Sequence, residues 1–305
     1  MPIQNNIAAF AGYSTILDEV LVASALTGVL ESDPNDAKPG ANVGEFMIPM
    51  MDMDGLGNYD HQKGYPAGAV TLKMETKKCN YERGRMFTVD FVEDEEAAGI
   101  AYGKLAGEFI RTKVVPEIDA VRFAKYASLT KAACRAVSAS FADGKTLVKA
   151  LSAAQTQLDN DEVPQEMRHL FLLPSLKRLL DDMDTYQSRQ VLDGFASVTV
   201  VPPARFHTAV TLLTGADDDT NRAGGFKPGG SAINFFIAYK PAIMQHTRHA
   251  RAKVVTPEQN QDADAWKFGY RVYGLNDAYE NKLAGLYVNT QTAIEAAAAA
   301  NEGDA

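Results

Sequence analysis

His246 and His249 are the first side chains to weigh as chemistry. Read as helical they sit one turn apart, a spacing that suits a divalent metal. Arg248 and Arg251 crowd them with positive charge, and no carboxylate or cysteine lies near in sequence, so the pair reads as a solvated basic patch. Asp217, Asp218 and Asp219 offer oxygen ligands for calcium. The run lacks the alternating ligands and fixed glycine of a calcium loop, and reads as a solvated loop. AGGFKPGGS, residues 223–231, carries the glycines of a phosphate loop but not the Gly-Lys-Ser/Thr that grips phosphate and magnesium. Pro228 removes a further amide donor, and the segment reads as a flexible loop. Glu117 and Asp119 flank a bend and could pair as acids, yet no basic or nucleophilic partner lies beside them in sequence, so both read as structural. No G-x-S-x-G elbow and no H-E-x-x-H occurs. The reading is of no catalytic site, no metal site and no cofactor.

The elements around these residues are more informative. Phe87, Val89 and Phe91 alternate with Thr88 and Asp90, as in a half-buried strand. Glu93, Asp94, Glu95 and Glu96 follow, and negative charge is favourable where a helix N-terminus presents unpaired amides. The spacing predicts a helix from about Asp94 to Val114, roughly 30 Å of rod. Ala97, Ala101, Leu105 and Phe109, with Ile100, form its apolar stripe. Gly99, Gly103 and Gly107 form another, at a cost of about 1 kcal/mol each relative to alanine. Close approach of another backbone is the physical reason for such a stripe. Membrane pairing is excluded, because Lys104, Glu108 and Arg111 interrupt it and no run of ~18 apolar residues exists. Pro116 is expected to end or kink the rod.

Elsewhere, Val70, Leu72, Met74 and Thr76 alternate strictly with Thr71, Lys73, Glu75 and Lys77, the clearest strand in the chain. With the short apolar run Phe46 to Met51, it predicts a long hairpin with one apolar face, which something must cover. Leu147, Leu151, Ala154 and Leu158 mark a helix. Strands are read at Arg168 to Leu173, Val198 to Val201 and Ile233 to Tyr239, with a helix opened by Pro174 and faced by Leu176, Leu179, Leu180 and Met183. This alternation predicts an α/β unit over about 142–240. Trp266, Phe268, Tyr270 and Val272 alternate again, and Leu286 to Val288 is a last short strand. An amphipathic helix is expected near Ile16 to Leu21, with Thr15 and Asp18 as a capping box. The alanine-rich end reads as a frayed tail.

Composition bounds the function. The chain has 305 residues, 46% hydrophobic and 23% charged, enough for a substantial core or two domains. A net charge of −9 argues against a dedicated nucleic-acid binder but allows a container whose wall repels DNA. Cys79 and Cys134 lie far apart and form no disulfide or metal framework. Asp18 and Glu19 break any secretory signal, so the chain is expected to be intracellular when made.

These segments, in order, resemble the major capsid proteins of tailed bacteriophages, whose fold is shared with encapsulin shells and the herpesvirus capsid floor. RGRMFTVD, RTKVVPEIDAVRFAK and DADAWKFGYRVYGLNDAYENKLAGLYV carry the resemblance in combination, and it covers most of the chain. It implies an α+β fold with an N-terminal arm (1–44), an extended hairpin loop (45–92), a spine helix opening a peripheral domain (93–141), an α/β axial domain (142–240), a returning peripheral domain (241–290) and a tail (291–305). It implies a structural, non-enzymatic protein that self-assembles through pentamers and hexamers into an icosahedral head around double-stranded DNA. Its partners would be copies of itself, a portal, and scaffolding or decoration proteins. Its place would be the virion, assembled in the host cytoplasm. An encapsulin-like shell for protein cargo and a soluble α/β enzyme are the alternatives. No isopeptide cross-link is carried over. Since the chain begins close to the arm, any scaffold is expected to be a separate protein.

In that fold the extended loop lies over a neighbour's spine helix and peripheral domain. Lys73, Glu75, Lys77, Lys78, Arg83 and Arg85 would then pair with a neighbour's Glu93, Asp94, Glu95 and Glu96. Charge reversal at Arg83 and Arg85 is expected to weaken assembly without unfolding the subunit.

Overall fold

A computed structural model describes residues 25–33, 38–40, 44–59, 61–62, 64–90, 107–183, 186–216 and 221–294. The amphipathic helix expected in the N-terminal arm, the acids Glu93 to Glu96, Gly99, Gly103, the aspartates 217–219 and nearly all of the alanine-rich tail lie outside these residues.

The strictly alternating segment is strand β3 (Val70–Lys78), one half of a hairpin with β2 (Glu45–Met53). A two-residue strand β1 (Lys38–Pro39) pairs with the base of β2 to complete a three-stranded sheet. After Lys78 the chain changes sheets. β4 (Tyr81–Asp90) leaves the hairpin and pairs antiparallel with β11 (Ala265–Ala278), which pairs in turn with β10 (Ile243–Val255). The alternation read around Trp266 is correct, because Phe268, Tyr270 and Val272 are buried under the helix while Arg271 faces solvent.

The rod does not end at Pro116. Its described part is helical at 107–109, widens into a π-helical turn at Ile110–Val114, and continues as α1 (Val115–Ala132). Proline has no amide for the carbonyl four residues back, and its ring crowds that carbonyl. The wider turn absorbs both problems: the Val115 amide reaches back to the Ile110 carbonyl, one residue further than in an α-helix. Pro116 then sits in the first turn of the resumed helix, where it is tolerated.

α1 is buried on several sides because it serves two cores. Ile110, Val115 and Ile118 pack on Tyr81, Phe268, Tyr270 and Val272 of the three-stranded sheet. One and a half turns later Phe123, Tyr126 and Ala127 belong to the larger core. There Phe123 meets the rings of Phe206 at 4.9 Å and Phe171 at 5.2 Å, both edge-on.

The larger core lies on a six-stranded sheet ordered β5-β12-β9-β6-β7, with β8 also paired to β9. Its strands are β5 (Ala136–Ser138), β6 (Arg168–Leu172), β7 (Ser197–Val200), β8 (His207–Leu212), β9 (Phe226–Tyr239) and β12 (Leu286–Thr290). The α/β unit is present, but the sheet reaches beyond 142–240. β12 returns from the far end of the chain and inserts between β5 and β9. Helices α2 (Gly144–Asn160), α3 (Pro174–Met183) and α4 (Tyr186–Asp193) cover it. Asp143 caps α2 by accepting from the Thr146 amide at 2.8 Å. Gly144 is required by packing: a Cβ there would lie 2.3 Å from the Met183 sulfur and 2.6 Å from the Leu179 carbonyl of α3.

AGGFKPGGS is not a loop throughout. Phe226 opens β9, and Lys227 and Pro228 pair with Thr211 and Val210 of β8. The glycines supply the turn before it, with φ of +64° at Gly224 and +84° at Gly225. The histidines are corrected as well. His246 and His249 lie on β10, with a bulge between Thr247 and His249, so helical spacing does not apply. Among the described residues, no three His, Cys, Asp or Glu side chains gather closely enough to hold a metal ion. No described helix is long and apolar enough to cross a membrane.

Candidate assembly interface

The β2–β3 hairpin is anchored at its base only. Ile48 is buried against Met244 of β10, with Phe46 and Tyr279 around it. Towards the tip the register sets Met51 opposite Leu72, Met53 opposite Val70 and Pro49 opposite Met74, so these residues share one face. That face is bare: Met51 is 58% exposed, Met53 61%, Val70 67% and Leu72 58%. A two-stranded ribbon with such a face is marginal on its own in water. The sequence shows the apolar side of β3, but on β2 it shows only the short run Phe46 to Met51. Met53 is therefore a member of the face that the spacing misses.

The opposite face carries Lys73, Glu75 and Lys77. Lys73 stands opposite Met50, and Glu75 opposite Ile48. The Lys77 ammonium lies 2.5 Å from Glu75 and 3.2 Å from Glu280. Partial burial works to lower its pKa, but the hydrogen bonds to these carboxylates prevail and hold it above the ordinary lysine value. Lys78 is exposed, its nitrogen 4.0 Å from Glu45. Lys73 and Lys78 are thus the hairpin cations presented most openly to solvent.

Arg83 and Arg85 are engaged inside the chain. Arg83 Nε donates to Glu117 Oε1 at 2.8 Å, and the Tyr81 hydroxyl donates to the same oxygen at 3.1 Å. Burial, followed by the Glu117 charge, pushes the Tyr81 hydroxyl far above its ordinary value, so it remains a donor. Arg83 Nη2 also donates to the carbonyls of Leu213 at 2.8 Å and Gly225 at 3.3 Å, and Arg85 donates to the Arg222 carbonyl at 3.0 Å. Two arginines of β4 therefore clamp both ends of the turn between β8 and β9 beside a cavity of about 830 Å³. Replacing Arg83 by methionine leaves Glu117 without its cationic donor and the two carbonyls without theirs. The expected loss is about 1.5–3 kcal/mol in urea unfolding, with faster amide exchange at 213–216 and 221–225. An unchanged midpoint would show that the clamp carries no weight. Charge reversal at Arg83 sets two carboxylates together within the subunit, so it probes the fold before it probes assembly.

Glu117 and Asp119 do have basic partners, contributed by distant segments. Asp119 is fully buried and accepts from the amides of Leu26 and Thr27 at 3.1 Å and from the Thr27 hydroxyl at 2.7 Å, with Arg205 at 3.3 Å. Arg122 joins Thr27, Glu31, Thr247 and Asn276. Gln245 joins Tyr126 and Glu31. This network fastens the segment Leu26 to Glu31 onto α1 and β10. Nothing local in sequence signals it, because its members lie about a hundred residues or more apart. Of the glycine stripe, Gly107 alone is described, and a Cβ built there would meet nothing within 4 Å.

No family model matches the chain, and neither does any curated protein. Solved structures do match. The capsid structure of Staphylococcus phage Andhra superposes with a TM-score of 0.53 at 14% identity, over 84% of this chain and 83% of that one. The capsid structure of cyanophage P-SCSP1u gives 0.53 at 10% identity, over 83% and 85%. A virus-like particle from Pyrococcus furiosus gives 0.51 at 10% identity, over 88% and 98%. Each is similar over most of both chains. The chain has the fold of the tailed-phage major capsid proteins.

Proposed function

We propose that this chain is a major capsid protein: many copies, arranged as pentamers and hexamers, build an icosahedral head that encloses double-stranded DNA. The role is structural and non-enzymatic, and the place is the virion, with assembly in the host cytoplasm. A portal and scaffolding or decoration proteins are its other partners. The observation that carries the reading is the hairpin. Its apolar face is bare in the single chain, and a shell supplies a neighbour to cover it at every position. Lys73 and Lys78, with Glu75 and Lys77, would meet the neighbour's Glu93 to Glu96. The stripe from Gly99 through Gly103 to Gly107 would admit a crossing backbone. The negative net charge suits a wall that does not hold DNA tightly.

The test is Leu72→Lys with Met51→Asp, a pair of opposite charges across the two strands, compared with the unaltered chain by size-exclusion light scattering and electron microscopy. The unaltered chain should form uniform megadalton shells. The variant should stay small while keeping its urea midpoint within about 0.5 kcal/mol, because both side chains face solvent in the subunit. Shells of normal yield from the variant would rule out the hairpin as a contact. The Pyrococcus furiosus particle has the same fold, so a shell around other contents is the second reading. Nucleic acid in particles purified from infected cells separates the two.

A further inference from the structure

A cavity opens between the rod, strand β4 and the turn from β8 to β9. Its volume of about 830 Å³ lies in the range of pockets that hold one small molecule. Phe87, Phe109, Val114, Leu213, Phe226 and Val272 make most of its wall apolar, with Phe87 and Phe109 edge-on at 4.8 Å. The charges on that wall do not cancel. Glu117 is taken up by Arg83 and Tyr81, and Glu108 by Arg111. Arg85 and Lys113 remain, and among the described residues neither has a carboxylate partner. Arg85 is held in place by the turn. Its Nη2 donates to the Arg222 carbonyl at 3.0 Å, and a Cβ on Gly215 would come within 2.7 Å of its Nη1. Gly215 has a φ of +75°, so glycine there serves both the turn and the close approach of the guanidinium. A guanidinium has five donors, and one carbonyl engages only one of them.

We infer that this cavity binds one single-chain amphipathic carboxylate, its head on Arg85 and its chain along the phenylalanines, with Lys113 adding positive charge at the wall. The apolar chain gains by leaving water, and a guanidinium grips a carboxylate through two parallel hydrogen bonds. A neutral molecule would leave the positive wall unanswered. A polyanion such as DNA would leave the apolar wall unused. The wall is drawn from both cores: β4 and the rod belong to the core under the three-stranded sheet, and the turn hangs from two strands of the six-stranded one. A bound molecule therefore braces one against the other. The inference goes beyond the shell reading and does not depend on it.

The test titrates dodecanoate, below its micelle concentration, into the full chain by calorimetry. Dodecyltrimethylammonium supplies the same chain with the opposite charge. Four forms are compared: unaltered, Arg85→Gln with Lys113→Gln, Leu213→Trp, and the hairpin pair Leu72→Lys with Met51→Asp. Circular dichroism checks that each is folded. The unaltered chain should bind one dodecanoate, at least about tenfold more tightly than the cation. Removing the two charges should weaken binding at least about tenfold, because the head loses its charge-assisted hydrogen bonds. Leu213→Trp should abolish it by filling the space, and the hairpin pair should leave it unchanged. Amide exchange at 213–216 and 221–225 should slow when the ligand is bound. No saturable binding up to about 1 mM would overturn the inference. Equal affinity for the cation, or binding indifferent to Arg85 and Lys113, would overturn it too, since the wall would then act through apolar contact alone. Binding lost with the hairpin pair but kept in Leu213→Trp would assign the molecule to the bare β2–β3 face. Slow exchange at 213–225 in ligand-free shells that exclude dodecanoate would assign the cavity to a neighbouring copy. Either result would overturn the inference and leave the capsid reading, which the hairpin variant decides, untouched.

Discussion

Asp119→Ala should destabilise the subunit by about 3–5 kcal/mol, the cost of removing one partner from a buried charged network. The side chain is fully buried and holds two amides, a hydroxyl and a guanidinium. Its loss leaves the Leu26 and Thr27 amides with no acceptor and Arg205 without its carboxylate. A domain of this size is stable by only about 5–15 kcal/mol, so the variant should unfold at much lower urea. Amide exchange should rise first at 25–33, where the segment is fastened to α1. Asp119→Asn keeps the shape and one acceptor oxygen, and should fall between the two. A midpoint for Asp119→Ala within about 0.5 kcal/mol of the unaltered chain would mean that the segment is held by something else.

Phe123→Ala should cost a similar amount, about 3–5 kcal/mol, for a different reason. Phe123 is 1% exposed and lies among Phe171, Phe206 and Phe236. Truncation loses the transfer free energy of the ring and leaves a cavity that α1 cannot close, because the helix is pinned on its other side by the three-stranded sheet. Phe123→Leu refills part of the space and should recover more than half of the loss in the same urea titration. If alanine and leucine were equally mild, the core around α1 would be looser than its packing indicates. Both Asp119→Ala and Phe123→Ala should lower the yield of shells by weakening the folded subunit. The Leu72 and Met51 changes should abolish them with the subunit intact. Unfolding and light scattering together separate the two outcomes.

Period and composition are enough for β3, α2 and β11. Each exposes or buries one face along its whole length, and such a face is written in the spacing of Val70 to Thr76, Leu147 to Leu158 and Trp266 to Val272. The apolar hairpin side and the absence of a familiar catalytic spacing are readable for the same reason. Pro116 misleads because proline is a local signal, while the π turn that rescues it depends on the register of Ile110 and Val115. FKPGGS misleads because glycine and proline mark turns, whereas here β8 recruits the segment into a strand pair. Arg83 looks free for a neighbour in sequence, since Glu117, Leu213 and Gly225 approach it only when β4, the rod and the β8–β9 turn meet. β12 between β5 and β9, and Thr27 against Asp119, lie beyond any local reading. Side-chain periodicity reports what one element does with its own faces. Which distant element covers those faces, and which buried charge finds which partner, is set by chain reversals tens to hundreds of residues apart, and only the tertiary structure decides them.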